Sequence, residues 1–229
     1  MFTRPLLYCG LLGPTTLIVG FLVEGATRPG YSPWRHAVSQ LSLGPGGPVN
    51  VALILLGAAG LLALAVALPT NGSPRWTTRT VATAGAALAV LAIFPIDASL
   101  GYPPDQPAVH HWQGLVHAIA GTVLFAALAA TPLTMARHVR GRAGWVPWRR
   151  YSILTGLVVA VSYVVTATLT SLDQAGMWTN APAGLTQRIA LIAGLGWCAL
   201  FAGRLLESTG RVLASAGRDV AQSPKRSSA

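Results

Sequence analysis

The sequence predicts an all-α fold: a polytopic membrane protein, a six-transmembrane-helix bundle with a short outer amphipathic helix. Three observations predict it. The 229 residues are 52% hydrophobic and only 10% charged, where soluble domains carry about 25% charged residues, and the mean hydropathy is +0.54. Six apolar runs have the length a bilayer requires, at about 5–23, 49–68, 80–96, 113–133, 151–172 and 186–206. The basic residues collect between alternate runs, as they do in the cytoplasmic loops of membrane proteins. Residues 1–207 form one transmembrane domain in this reading, and 208–229 form a basic, disordered cytoplasmic tail.

The first run follows Arg4, as a signal sequence would. Its apolar stretch exceeds the usual ~7–15 residues and has no small-x-small cleavage site, so it is read as a membrane helix. Gly13 and Gly20 lie on the face leading to Glu24, which places Glu24 toward the bundle. Between runs one and two, Ser32-Pro33 supplies a helix start and Gly44 a stop. At ~100° per residue, Trp34, Ala37, Val38 and Leu41 share one face of this segment. Arg35, His36, Ser39, Gln40 and Ser42 share the other, which predicts a helix lying on the membrane surface.

All but three of the 16 basic residues fall before run one, between two and three, between four and five, or after six. That side is cytoplasmic by the positive-inside rule, with both termini inside, and a plasma membrane is the expected location. Arg137 to Arg150 is the stretch expected to meet anionic headgroups. The net charge of +10 is distributed over such loops, which argues against a nucleic-acid partner. The abundance of Ala, Gly and Arg points to a bacterial source. Cys9 and Cys198 lie inside apolar runs and read as packing residues.

The outer side, with Arg28, Arg35 and Arg188, holds the chemistry. Glu24, Asp97, Asp105 and Asp173 fall there, with His36, His110, His111 and His117. Glu24, Asp97 and Asp173 each follow an outward-running helix, where the dipole disfavours an acid by ~0.3–1 kcal/mol. Each therefore calls for a cation. Candidates are Arg28, Arg35, Arg188, protonated histidines, or a divalent metal such as Zn²⁺ held by Glu24, Asp97, His110, His117 and Asp173. His110 and His117 are seven apart, on one helix face with Gly114 and Gly121. Catalytic candidates are Arg35, His36, Ser39, Asp97 and His117, with Ser39 and His36 as a possible nucleophile–base pair. Thr155, Ser162, Thr166, Thr170 and Asp173 form a stripe on run five. It reads as interhelical packing or as the wall of a polar cavity.

The segment YSPWRHAVSQLS, the FPxD after run three and the His of HAIAG resemble the DUF998 family over roughly residues 5–206. That resemblance implies six membrane helices and no established activity. Arg35, His36, Ser39, Asp97 and His117 stand on matching positions. Gln40 stands where such relatives often carry an acid. Walker A, HExxH, GxSxG and CxxC motifs are absent. The leading expectation is a non-catalytic scaffold, sensor or envelope-maintenance protein with an outward Arg/His/carboxylate cluster. The alternatives are a metal-dependent hydrolase of a lipid or lipid-linked substrate, and a small-molecule or proton-coupled transporter.

Overall fold

The computed structural model describes residues 3–222, with side chains through Ser208. Six α-helices make the bundle: α1 Thr3–Thr27, α2 Gly47–Ala67, α3 Arg75–Ile93, α4 Trp112–His138, α5 Val146–Gln174 and α6 Ala183–Gln222. All six are long and apolar enough to cross a membrane. Each packs against its neighbours in the chain, and α6 returns to α1, so the helices close a ring. α4 also touches α6 across the ring. Beyond Ser208 the tail, expected to be disordered from residue 208, is described by its backbone alone, which continues α6 to Gln222, and 223–229 lie outside the described residues.

The outside of the bundle is apolar. Leu12, Val19, Leu55, Val66, Ile119, Leu154, Val161 and Leu200 are exposed, as lipid contact requires. Inside, close approach does what water exclusion does in soluble cores. A Cβ on Gly13 would stand 2.8 Å from the Gly60 Cα, and one on Gly60 would stand 2.7 Å from the Cys9 carbonyl. Neither position has space for a side chain, so α1 and α2 touch backbone to backbone.

At the end of the bundle with both described termini, aromatic rings fill the centre. Trp197 and Phe201 stack at 4.9 Å, and the Trp197 Nε1–H donates to the Ser152 hydroxyl at 3.0 Å. The Arg204 guanidinium lies 4.5 Å from the Trp145 ring and 5.3 Å from that of Trp148, a cation–π arrangement. The opposite end carries the 28–46, 94–111 and 175–182 connections and is called the cap end below.

Two sequence expectations need correction here. The 32–44 segment is not a surface α-helix. It is a turn followed by a five-residue 3-10 helix, Val38–Ser42, and its Val38, Gln40 and Leu41 are buried. Asp97 does not close α3. Pro95 forces the preceding residue out of the helical region, so α3 stops at Ile93 and Phe94 is extended (φ −102°, ψ 111°).

Candidate functional site

The Tyr31–Gly44 segment is a cap packed into the mouth of the ring. Its turn begins where Ser32-Pro33 predicts: the Ser32 carbonyl accepts the Arg35 and His36 N–H groups at 3.2 and 2.8 Å. Beyond that turn, side chains from distant helices satisfy the cap. Arg188 of α6 is 5% exposed. Its Nη1 donates to the carbonyls of Pro33, His36 and Gly184 at 2.8, 3.0 and 2.9 Å. Its Nη2 donates to the Tyr31 hydroxyl. Burial pushes that hydroxyl up to about 12, against the lowering effect of Arg188, so it stays protonated and donates to the carbonyls of His36 and Ala37. Gln187 Oε1 accepts the Val38 N–H at 2.7 Å. Asn50 of α2 donates to the Ser42 hydroxyl at 2.9 Å.

Gly184 is required at this contact. A Cβ there would collide with the Pro33 and His36 backbone.

The acids are each held separately. Arg35 forms a bidentate pair with Asp173, both N···O distances 2.7 Å. The Asp173 side chain is fully buried and that of Arg35 is 28% exposed. The Ala181 N–H supplies Asp173 with a further donor at 3.2 Å. Glu24 lies 3.3 Å from Arg28, one turn on in sequence, and Arg28 donates to the Gly46 carbonyl at 3.0 Å. Asp97 sits at the start of α4. It accepts the His111 N–H at 3.1 Å and lies 2.9 Å from the His111 Nδ1. The positive end of the α4 dipole favours a carboxylate there. Burial alone would raise the Asp97 carboxyl, but the His111 hydrogen bonds outweigh it and hold it below the ordinary carboxylate value.

The histidines do not converge either. His110 precedes α4, is exposed, and stands 4.0 Å from Asp97. It therefore shares no helix face with His117, contrary to the sequence expectation. The His117 Nδ1 lies 2.8 Å from the Phe94 carbonyl, to which it donates. His36 accepts the Ser32 N–H on Nδ1 at 2.9 Å and reaches the Leu100 carbonyl with Nε2 at 3.2 Å. Both its nitrogens are engaged, so it forms no base for Ser39. Among the described residues no group of three or more His, Cys, Asp or Glu is placed to hold a metal ion. Gln40 is buried: its Oε1 accepts the Ala37 N–H at 2.9 Å and its Nε2 donates to the Ser99 carbonyl at 2.8 Å.

Under the cap lies a cavity of about 310 Å³, lined by all six helices. His117, Ser39, Thr166 and Thr170 face it, among mainly apolar neighbours. The run-five stripe divides: part of it packs between helices and part lines a cavity that is mainly apolar, not the polar one expected. Thr166 bonds to Thr186 at 2.8 Å and lines the cavity with Thr170.

A family model described as a protein of unknown function, DUF998, matches residues 11–204. The chain belongs to this family. No curated protein and no solved structure matches this DUF998 chain.

Sequence reasoning singled out the Tyr31–Gly44 segment of the DUF998 chain but did not find Asn50 and Gln187, which hold it from α2 and α6, and did not pair His111 with Asp97. Only His111 had a local signal, its place directly before a helix start. The cap of this DUF998 protein is expected to respond to acid through His36. Burial lowers the His36 pKa, although the Leu100 hydrogen bond acts the other way. A depressed histidine contributes stability that is complete above its unfolded value of ~6.5 and is lost as pH falls toward the folded value. Protonation would set an Nδ1–H against the Ser32 N–H. The protection of the Ser32 amide, taken relative to its intrinsic exchange rate at each pH, should therefore fall as pH drops below about 6.5, and His36→Gln should remove that loss.

Proposed function

We propose that this DUF998 protein is a non-catalytic scaffold, sensor or envelope-maintenance protein of a bacterial plasma membrane. The cap end faces outward and both termini are cytoplasmic. The single observation that supports the non-catalytic reading is that these charged groups are each held by their own partners at separate places. Arg35 is committed to Asp173, Arg28 to Glu24, His111 to Asp97, and Arg188 to backbone carbonyls. A catalytic centre instead directs several such groups at one point in space. The orientation rests on the Arg-rich connections at the far end. There Arg137 to Arg150 would rest on anionic headgroups.

A metal-dependent hydrolase is the second reading, favoured by the pairing of Asp97 with His111 and the approach of His110. Elemental analysis of the purified protein separates the two, run beside Asp97→Ala and His111→Ala. The expected result is substoichiometric metal in all three proteins, with both variants less stable. Near-stoichiometric metal that both variants lose would overturn the non-catalytic reading.

A further inference from the structure

The cavity beneath the cap has a polar end, an apolar body and a side opening. At the cap end stand Ser39, His117, Thr170 and Gln187. With the Nδ1 proton of His117 given to the Phe94 carbonyl, its Nε2 carries the lone pair and is an acceptor. The Gln187 Oε1 is used by the cap, so its amide NH₂ is the group left to donate. The body is formed by Leu17, Phe21, Ile54, Leu88, Leu124 and Leu191. Among the described residues no Asp, Glu, Lys or Arg lines any part of it.

The opening lies between α4 and α5. Toward the far end these helices are in contact: Gly156 has no room for a Cβ beside the Ala129 carbonyl, and Phe125 stacks on Tyr163 at 4.6 Å. Thr122 and the Tyr163 hydroxyl then join at 2.7 Å. Ala118 and Thr122 of α4 and Ala167 of α5 line the cavity and are also exposed. A Cβ on Gly121 would meet nothing within 4 Å. In a membrane this gap faces the acyl chains of the leaflet at the cap end.

We propose that the cavity is a binding site for a neutral, hydroxyl-headed, single-chain lipid, which enters sideways between α4 and α5. The hydroxyl donates to His117 Nε2 and accepts from Gln187, beside the Ser39 hydroxyl. The upper part of the chain fills the apolar body. At about 310 Å³ the cavity is at the low end of small-molecule sites, ~300–1,000 Å³, so the rest of the chain emerges through the gap into the bilayer. An anionic head is refused because the lining offers it no cation and burial strips its water. This deepens the sensor reading above. It rests on that reading for the membrane placement, not for the absence of catalysis.

The test uses a monoacylglycerol carrying a diazirine in its acyl chain, photolysed with the full-length protein in detergent, with adducts mapped by peptide mass spectrometry. The expected adducts fall on α4 and α5 residues that line the cavity. Monooleoylglycerol should compete at concentrations about tenfold below lysophosphatidylglycerol. Gly121→Leu, which extends a side chain into open space, should cut labelling at least tenfold with an unchanged unfolding midpoint. His117→Asn keeps a donor for Phe94 and lacks the Nε2 acceptor. It should weaken competition by monooleoylglycerol about tenfold and leave that of methyl oleate, which has no hydroxyl, unchanged. Labelling that Gly121→Leu does not alter, or equal competition by the anionic lysolipid, would overturn the proposal. Glycerol released from the probe would count against the non-catalytic reading alone, while Gly121→Leu-sensitive labelling would still uphold the binding site.

Discussion

Arg188→Met is expected to destabilise the protein by about 3–5 kcal/mol, because buried acceptors left without donors cost about 1–3 kcal/mol each. Arg188 joins α6, the Pro33–His36 turn and the Tyr31 hydroxyl. Methionine fills much of the same volume without a donor. The Tyr31 hydroxyl can still serve His36 or Ala37, but the Pro33 carbonyl loses the Arg188 donor. Arg188→Lys should recover less than half of the loss. One ammonium cannot reach the carbonyls held by Nη1 and the hydroxyl held by Nη2 together. An SDS unfolding titration in mixed micelles measures the loss, and proteolysis between residues 28 and 46 reports whether the cap has detached.

Arg35→Ala should have the second largest effect, about 3 kcal/mol, near the lower bound for breaking a buried ion pair. The lower bound applies because Arg35 is partly exposed while Asp173 is not. The substitution strands the carboxylate at the C-terminal end of α5, where the helix dipole also opposes it. The backbone N–H groups of Asn180 and Ala181 are neutral donors and do not replace a bidentate guanidinium. Asp173→Asn should cost less, since an amide is cheaper to bury than an unpaired anion. The same titration ranks the two variants.

These residues show how far the sequence is readable. Six membrane helices follow from six apolar runs, because length and hydropathy are local properties. Asp97 was given a cation on the wrong ground, since it stands at the start of α4 and not at the end of α3, but the demand of Glu24 and Asp173 for an adjacent Arg or His was legible. Which one was not. Arg28 answers Glu24 from four residues away, while Arg35 answers Asp173 across 138 residues and His111 answers Asp97 across 14. The cap was misread for the same reason. Helical periodicity assigned His36 and Gln40 to a wet face. Their partners Leu100 and Ser99 lie 64 and 59 residues away, and the 94–111 connection covers them. Periodicity reports which residues share a face, but not what the rest of the chain lays over it.

The central claim is that the charged groups of the cap end are structural ties. A double-mutant cycle of Arg35→Met, Asp173→Asn and the combined variant tests it most directly, by SDS unfolding. If the pair is a tie, each single change lowers stability and the double change costs no more than the worse single one, a coupling of about 2 kcal/mol. Additive losses, or singles that unfold like the wild type, would contradict the account and return Arg35 and Asp173 to the candidates for ligand or substrate contact.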